Sequence, residues 1–445
     1  MGKLFRSFTG GIHPFGGKEI TKNDAVEPLF LEEKTEVVIP LSQHIGAPCE
    51  CLVKRGDEVL IGQKIGEAKG KVSSCVHASV SGKVKKVEER RVYDGRMMMS
   101  VVIESDGKNQ EVEYLPADYH ALSREEILHR ILEGGVVGFG GAGFPTQAKL
   151  DVKHPERVEY VLINAAECEP YLTSNYRLMM EDPKRVYGGM EILLHLYPNA
   201  KGMVVIEDNK KDCVKVMKRV FQDTKVSVLT VKTKYPQGDS RMIMEAATGR
   251  KMSSDFHAVD LGCVVCNVDS VARIYDAVSL GKPVVNRIVT VTGEGLNRHG
   301  NYLVPLGTSY LKILELSGGA NVENPKYISG GPMMGTALMN LDVPVTKLAS
   351  SLLVLPSDDV MNAKESPCIR CGRCAEVCPG RIMPLVANRY AEKGDKEGFI
   401  AHGGMECCEC GCCSFICPAK KPLTQNIKSM RRMIINEKKK EKVHG

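Results

Sequence analysis

The sequence contains no tryptophan, and aromatic residues make up only 5% of its 445 residues. So few flat side chains argue against a surface that stacks the bases of a nucleic acid. The formal net charge is only +6, from 60 basic and 54 acidic residues, so the composition does not indicate a polyanionic partner. We therefore expect no nucleic-acid function.

Long apolar segments are also missing. No run of about 18 apolar residues occurs, so we expect no membrane-spanning segment. The first residues, MGKLFRSFTGGIHPFGG, lack the apolar core of a secretory signal, which favours a protein that stays in a reducing compartment. The 43% of hydrophobic residues is enough to form the cores of about three domains at this length.

Cysteine, in contrast, is abundant, with 17 in the chain. In a reducing compartment this number indicates metal binding rather than disulfides. Two runs in the C-terminal part each follow the pattern C-x2-C-x2-C-x3-C-P, which is the ligand spacing of bacterial two-cluster ferredoxins. The predicted ligands of two [4Fe–4S] clusters are Cys368, Cys371, Cys374 and Cys378 in the first run, and Cys407, Cys410, Cys413 and Cys417 in the second.

Zinc is the alternative metal, since four-cysteine zinc sites also use C-x2-C pairs. Two complete copies that both end in Cys-Pro favour iron–sulfur clusters. We expect the fourth cysteine of each run, Cys378 or Cys417, to open a short helix and to bind the cluster of the other run. Cys408 and Cys412 are extra to the pattern. The scattered cysteines are interpreted as small core residues: Cys49, Cys51, Cys75, Cys168, Cys213, Cys263 and Cys266.

The N-terminal part of the chain predicts short strands and turns. Residues 1–32 are Gly-rich and expected to be irregular, whereas 33–106 resemble a biotinyl/lipoyl-type barrel sandwich. In such a fold Gly56-Asp57 and Ser81-Gly82 are turns between short strands. No convincing Met-Lys or Asp-Lys turn that would carry a prosthetic arm is present in this stretch, so we expect a structural module.

From 120 to 285, predicted strands and helices alternate, which is typical of an α/β fold. The segment SREEILHRILEGG predicts a helix that Ser123 and Glu126 open as a capping box. RVEYVLINAA predicts a buried strand, and GGMEILLHLYP predicts another helix. The remaining predicted units are a strand-rich module at 286–350, the cysteine-rich module at 360–425 and a solvated basic helix at 426–445.

A glycine-rich loop follows the first of these helices, with six glycines in the ten residues from 134 to 143. Backbone N–H groups of such a loop can approach a phosphate or a flat ring closely. Asn164, Glu167 and Glu169 come directly after a predicted strand, at the end of the strand where open α/β sheets bind ligands. Together these two features predict a nucleotide site.

Four segments resemble, in the same order, the motifs of the NADH-oxidising flavoprotein subunit of respiratory complex I. The pattern G-R-G-G-A-G-F-P-T-G-x-K stands here as GFGGAGFPTQAK (138–149), and N-A-D-E-x-E-P stands as NAAECEP (164–170). Y-x-x-G-E-E-T stands as YPQGDSR (235–241), and T-N-V-E-T stands as CNVDS (266–270). The resemblance implies that the chain binds FMN and that NADH lies over the flavin. By match, the FMN-binding residues are Gly138, Gly140, Gly141, Gly143, Lys149, Asn164, Tyr235, Gly238 and Asn267, and the catalytic pair at the nicotinamide is Glu167 and Glu169.

The chain departs from this pattern at three places. Phe139 stands where the pattern has Arg, Ala166 where it has Asp, and Asp239-Ser240 where it has Glu-Glu. The cysteine region differs as well, because the complex I subunit has one iron–sulfur cluster and this sequence predicts two.

The order of all these parts resembles the C subunits of Rnf complexes, over essentially the whole chain. The resemblance implies a multidomain α/β fold: a Rossmann-like flavoprotein core, an N-terminal lipoyl-like β-sandwich, a β-grasp-like module and a C-terminal two-cluster ferredoxin-like α-helical domain. It further implies a peripheral NAD(H)-binding subunit at the cytoplasmic face of a bacterial membrane. The implied partners are the membrane-spanning subunits and the ferredoxin-accepting iron–sulfur subunit of a ferredoxin:NAD+ oxidoreductase that moves Na+ or H+.

Two alternatives stay open at this point. A diaphorase subunit of a soluble NAD-linked oxidoreductase, or a cobalamin reductase, would share the flavoprotein core. The substitutions at Phe139 and Ala166 are also compatible with a non-catalytic scaffold that only conducts electrons. The lipoyl-like module and the Gly-Ile-His-Pro sequence ending at Pro14 favour the Rnf-type interpretation over the diaphorase.

Overall fold

The computed structural model describes residues 6–141 and 143–444. The first five residues of the predicted N-terminal segment, Ala142 of the glycine loop and Gly445 of the predicted tail lie outside the described residues. Among the helices of the described part, none is both long and apolar enough to cross a bilayer.

The N-terminal module is a sandwich of two small antiparallel sheets, ordered β2-β8-β7-β4 and β3-β5-β6. Its core consists of β-branched and small residues such as Val37, Ile39, Ile65 and Val101, all fully buried. The turn predicted at Gly56 is present, with φ of 99° at that glycine, a left-handed angle that glycine adopts without strain. The strands to this point are β1 (Val26–Pro28), β2 (Glu36–Pro40), β3 (Glu50–Cys51), β4 (Glu58–Val59), β5 (Lys64–Glu67), β6 (Val76–His77), β7 (Gly82–Arg91) and β8 (Met97–Ser105).

The second module contains a four-stranded parallel sheet, ordered β11-β10-β9-β12, with helices on both faces. Successive residues of β9 point to opposite faces, so Val161 and Ile163 join one hydrophobic core and Leu162 joins the other. The predicted capping box of Ser123 and Glu126 opens the first helix. The elements are α1 (Arg124–Glu133), α2 (Thr146–Leu150), β9 (Tyr160–Asn164), α3 (Ser174–Glu181), α4 (Pro183–Leu196), β10 (Lys201–Glu207), α5 (Lys211–Val220), β11 (Ser227–Val231), α6 (Ser240–Thr248), β12 (Cys263–Asn267) and α7 (Val268–Ser279).

The third module is a six-stranded mixed sheet, ordered β1-β14-β13-β17-β15-β16. Its edge strand β1 comes from the N-terminal segment that we expected to be irregular, and it pairs in parallel with β14. Sequence alone did not reveal this because a three-residue strand carries too short a pattern to detect. The elements are β13 (Asn286–Thr292), β14 (Gly300–Pro305), α8 (Tyr310–Leu316), β15 (Lys326–Ser329), β16 (Thr336–Ala337) and β17 (Ser351–Leu355).

The C-terminal module is helical: α9 (Asp359–Asn362), α10 (Arg373–Glu376), α11 (Pro384–Glu392), α12 (Lys396–Ala401), α13 (Cys412–Ile416) and α14 (Leu423–His444). Two expectations were wrong here. Cys378 and Cys417 follow the short helices α10 and α13 instead of opening helices. The basic tail is not a fully solvated helix, because α14 begins at Leu423 and buries an apolar stripe against Phe399. That stripe consists of Ile427, Met430 and Ile434.

Lys347 joins the first three modules. Its buried Nζ donates hydrogen bonds to the carbonyls of Cys75 in the N-terminal sandwich, at 2.7 Å, and Gly135 in the α/β module, at 2.6 Å. Its backbone N–H also donates to Gln43 Oε1 at 2.9 Å. Burial lowers the pKa of Lys347 to about 8, because no carboxylate offsets the desolvation of the ammonium group.

Candidate functional site

The site lies at the carboxyl ends of two neighbouring parallel strands. Asn164 ends β9, Asn267 ends β12, and the two residues are direct partners in the strand register. Asn164 Nδ2 donates a 2.7 Å hydrogen bond to the Gly238 carbonyl. Asn267 Oδ1 accepts a 2.9 Å hydrogen bond from the Asp269 N–H and thereby caps helix α7. The polar ends of the strands therefore hold a loop and the positive N-terminus of a helix at one edge.

The glycine loop packs directly against this edge. A Cβ atom on Gly140 would lie 2.9 Å from Asn267 Nδ2, so only glycine allows this approach without displacing Asn267. Gly143 has φ of 73°, the left-handed conformation that glycine adopts without strain. Lys149 in α2 turns back toward the sheet and donates a 3.2 Å hydrogen bond to the Val265 carbonyl.

Loop and strand ends enclose a cavity of about 610 Å³, called here the glycine-loop cavity. Of the sequence-predicted residues, the structure brings these ten into its wall: Gly138, Gly140, Gly141, Gly143, Lys149, Asn164, Glu167, Glu169, Gly238 and Asn267. Tyr235 is not in the wall but lies buried behind it. A Cβ on Gly141 would meet no atom within 4 Å, so the loop backbone is open toward a ligand. Size, free backbone and the α7 N-terminus together fit a phosphorylated flavin.

The first of the two predicted catalytic carboxylates is used within the fold. Glu167 accepts hydrogen bonds from the backbone N–H groups of Asn175, at 2.6 Å, and Tyr176, at 3.2 Å, in the first turn of α3. Burial raises the pKa of Glu167 above its ordinary value, although Lys18 and Lys210 act in the opposite direction. Glu167 therefore anchors α3 while it lines the cavity.

The second carboxylate connects three parts of the chain. Glu169 Oε2 accepts a 3.2 Å hydrogen bond from the Met333 N–H, and Oε1 lies 3.3 Å from the Tyr235 hydroxyl. Lys18 Nζ donates to the Glu169 carbonyl at 2.9 Å. Burial raises the pKa of the Glu169 carboxyl to about 7. A group with this pKa changes its charge close to neutral pH.

A loop of the third module also borders the cavity, and our sequence reasoning missed it. Ser329, Thr336 and the glycines of the sequence SGGPMMG contribute to the wall. A Cβ on Gly331 would overlap the Glu169 carboxylate, so this glycine permits the close approach. The density of glycine next to a predicted strand was the available signal. Nothing in the sequence shows, however, that this loop faces the first glycine loop.

A second, larger cavity of about 1280 Å³ adjoins the first. The two share four wall residues, namely Phe144, Lys149, Ser240 and Val265. The aromatic ring of Phe256 and the side chains of His257 and Arg250 line its outer part. Arg250 is already paired with Glu159 at 2.6 Å. The two cavities therefore share part of their walls at α2 and β12.

The second cysteine run touches the glycine-loop cavity. Cys410 is part of the cavity wall, and its carbonyl accepts a 2.7 Å hydrogen bond from the Tyr235 hydroxyl. The first run lies at the surface instead, where Cys371 is exposed and Ile369 is 69% exposed. The two runs therefore differ in their distance from the cavity.

The two cysteine runs lie beside each other, and Cys378 of the first run lies next to the second. Cys378 packs with Cys407 against the Ile382 core, and a Cβ on Gly380 would lie 2.9 Å from the Glu406 carbonyl. A second contact joins the segment before the first run to the segment after the second run. There the Ser366 N–H donates a 3.1 Å hydrogen bond to the Ala419 carbonyl. The two runs thus lie side by side, as the sharing of cluster ligands between them would require.

The remaining cysteines vary in environment. A hydrogen bond with the neighbouring Cys410 thiol, together with burial, raises the pKa of Cys408, and Cys412 is fully buried against Tyr235. Cys168, interpreted from sequence as a core residue, lines the glycine-loop cavity. Cys75 lies close to Glu67 and Glu133, but Lys64 already bridges those two carboxylates at 2.7 and 2.8 Å.

Comparisons with known families agree with this architecture. The family model of the Nuo51 FMN-binding domain matches residues 131–276, which contain the glycine loop and both asparagines. The RnfC barrel sandwich hybrid domain matches 6–108, and the SLBB domain matches 288–337. The fold and the site thus define a multidomain α/β protein with an FMN-binding domain of the Nuo51 type.

Similarity to whole proteins narrows this class. The C subunit of the proton-translocating ferredoxin:NAD(+) oxidoreductase complex of Clostridium ljungdahlii is 41% identical over 88% of this chain and 85% of that protein. The C subunit of the Na(+)-translocating complex of Acetobacterium woodii is 40% identical over 98% of both chains. The corresponding C subunit of the ion-translocating oxidoreductase complex of Pseudomonas aeruginosa is 34% identical over 98% of this chain and 56% of that protein. The chain belongs to this family of C subunits, the RnfC family.

Proposed function

We propose that this chain is the NAD(H)-binding subunit of a membrane-bound ferredoxin:NAD+ oxidoreductase that couples electron transfer to the movement of Na+ or H+. In this proposal it binds FMN in the glycine-loop cavity and two [4Fe–4S] clusters on the cysteine runs. FMN, when bound, accepts two electrons from a nicotinamide and gives them up singly to an iron–sulfur cluster. We also propose the domain types that the sequence predicts: a Rossmann-like flavoprotein core, a β-grasp-like third module and a ferredoxin-like C-terminal module.

The observation that carries the proposal is the position of Cys410. This predicted cluster ligand is in the same cavity wall as eight of the nine predicted FMN-binding residues and both predicted catalytic glutamates. The cluster of the second run would therefore be the one next to FMN, and the cluster of the exposed first run would exchange electrons with a partner. Exposed Arg370 and Arg373 lie between the cysteines of the first run and would favour a partner with an acidic surface.

The second cavity supports dinucleotide binding. It shares Phe144 and Lys149 with the glycine-loop cavity, so NAD(H) with its nicotinamide over the flavin would place the rest of the molecule in this second cavity. The exposed ring of Phe256 would stack on the adenine, a contact of about 1–3 kcal/mol for a base on an aromatic ring. A Phe256→Ala variant should raise the KM for NADH about fivefold or more and keep its flavin, whereas Phe30→Ala, also exposed, should leave KM unchanged.

The partners and location follow the family. The relatives are named as subunits of ion-translocating complexes, and on that basis we propose the membrane-spanning subunits and the ferredoxin-accepting iron–sulfur subunit as partners. The chain would lie peripherally at the cytoplasmic face of the membrane, held there by those subunits.

The test is cofactor content combined with electron transfer. The anaerobically purified chain should contain about eight iron and eight sulfide, the sum of two four-iron clusters, and about one FMN. NADH should reduce the flavin in a saturable way, and the clusters should follow. Stoichiometric zinc without iron would refute the cluster assignment. Flavin and iron without any NADH oxidation would favour the scaffold alternative.

A further inference from the structure

Arg287 is a buried arginine that faces the glycine-loop cavity. It lies on β13, is 2% exposed, and falls between the stretches matched by the FMN-binding and SLBB family models. Its Nε donates a 3.1 Å hydrogen bond to the Ala349 carbonyl, and Nη1 donates a 2.7 Å hydrogen bond to Asp269 Oδ2. Among the described residues Nη2 has no hydrogen-bond acceptor, and Arg287 is part of the cavity wall.

Arg287 belongs to a group of largely buried ion pairs. Arg185, Arg273 and Arg287 pair with Asp269 and Asp276, and Arg185 also pairs with the half-exposed Asp182 at 3.6 Å. Asp269 is shared between Arg273 and Arg287, and it occupies only Nη1 of Arg287. A buried guanidinium N–H without an acceptor is costly, so Nη2 favours an acceptor such as an anion in the adjoining cavity.

The same place has two other features that attract an anion. Asp269 is in the first turn of the 12-residue helix α7, so the Arg287 guanidinium lies at the positive end of that helix. The glycine loop reaches this point too, because the Arg287 guanidinium stacks 4.3 Å above the ring of Phe139. Phe139 stands where the complex I pattern has an arginine.

We infer that Arg287 binds the phosphate of FMN and supplies, from another module, the positive charge that the complex I pattern places in the glycine loop. The inference rests on the proposed function, since it requires FMN in this cavity. Phe139 then serves as the platform on which the guanidinium rests, and Asp269 holds Nη1 so that Nη2 points toward the cavity. The SLBB-containing module thus takes part in flavin binding through a residue that neither family model includes.

The test compares FMN with riboflavin, which lacks only the phosphate. Flavin-free protein that retains its clusters is titrated with each flavin, and the dissociation constants follow from the quenching of flavin fluorescence. Arg287→Met should weaken FMN binding by about tenfold or more, the value of a charge-assisted hydrogen bond. Riboflavin binding should change less than about twofold. Arg287→Lys keeps the positive charge but loses the planar guanidinium with its several N–H donors. Its dissociation constant for FMN should therefore lie between those of the wild type and Arg287→Met.

Arg273→Met is the matched control. Arg273 is buried and also pairs with Asp269, at 3.3 Å, but it is not in the cavity wall. Its loss should leave the preference for FMN over riboflavin unchanged. The preference is the ratio of the dissociation constants for riboflavin and FMN. Partial unfolding of a variant changes both constants by the same factor, so it leaves this ratio unchanged.

The possible results separate the two levels of the proposal. If the wild type binds FMN and Arg287→Met keeps the same preference, the inference is wrong while the proposed function stands. An equal loss of preference in Arg273→Met would likewise overturn it, because the effect would then come from the overall charge of the cluster. Failure of the wild type to bind FMN would refute the proposed function itself.

Discussion

The Tyr235 hydroxyl donates a 2.7 Å hydrogen bond to the Cys410 carbonyl and lies 3.3 Å from Glu169 Oε1. Tyr235 is only 2% exposed, so this connection is shielded from water. One side chain therefore links a glutamate of the cavity wall to the cysteine run next to it. In the proposed function this is a direct polar connection between the flavin site and a cluster.

Removal of this hydroxyl should affect electron transfer more than flavin chemistry. In Tyr235→Phe we expect NADH to reduce the flavin at the wild-type rate, because Tyr235 is not in the cavity wall. Reduction of the clusters by the flavin should slow about fivefold, as the loss of one hydrogen bond of about 1 kcal/mol loosens the Cys410 loop. Stopped-flow spectra separate the two steps.

Tyr302→Phe provides the control for that variant. Tyr302 is buried, and its hydroxyl has no hydrogen-bond partner among the described residues, so the same substitution breaks no such contact there. Both steps should keep their rates in this control. Slower flavin reduction in Tyr235→Phe, with normal cluster reduction, would contradict the role given to Tyr235.

The cysteine ligands should be shared across the two runs. Cys378 lies beside Cys407, and we predict that it completes the cluster of Cys407, Cys410 and Cys413, while Cys417 completes the other. Electron paramagnetic resonance of the reduced protein should therefore show loss of the same signal in Cys378→Ala and Cys407→Ala. If Cys378→Ala instead matches Cys368→Ala, each run binds its own cluster alone.

Two neighbouring glycines should respond differently to alanine. At Gly140 a Cβ would lie 2.9 Å from Asn267 Nδ2, so Gly140→Ala should lower both the thermal stability of the flavin-free protein and its affinity for FMN. At Gly141 no protein atom lies within 4 Å of an added Cβ. Gly141→Ala should therefore weaken FMN binding and leave the melting temperature of the flavin-free protein unchanged. Unchanged FMN affinity in both variants would exclude this loop from the flavin site.

Lys347 should make the stability depend on pH in the alkaline range. Its pKa is about 8 in the folded protein and 10.5 ordinarily, so the unfolded chain binds more protons between these values. The free energy of unfolding contributed by this group therefore rises from pH 8 to pH 10.5, by on the order of 3 kcal/mol. Lys347→Met removes that rise, and the gap between the urea midpoints of wild type and variant should change steadily over this interval.

The exposed Lys215 on α5 gives a control for the pH series. Lys215→Met should show a constant gap to the wild type across the same range. The hydrogen bonds from Lys347 to the Cys75 and Gly135 carbonyls are also lost in the Met variant, but that loss adds a constant offset. A gap that stays constant for Lys347→Met would show that the ammonium is not desolvated as described.

Local sequence patterns determined the position of many helices and strands in this protein. The helix that starts at Arg124 and the strand that ends at Asn164 follow from a capping box and an apolar run, which act over a few residues. The family follows from the order of the motifs, and relatives that cover most of the chain confirm it. The cluster ligands remain a prediction from their spacing.

Only the tertiary structure decided which distant residues meet. Arg287 comes to lie over Phe139, and Met333 donates to Glu169, because the sheet of the third module packs beside the parallel sheet. Neither pair has a sequence signal, since contacts across about 150 residues depend on how whole modules pack. Likewise α14 is a basic tail by composition, yet burial of Ile427 and Met430 makes it part of a core. Local sequence thus limits which element each segment can form, whereas the packing of the modules determines what each side chain contacts.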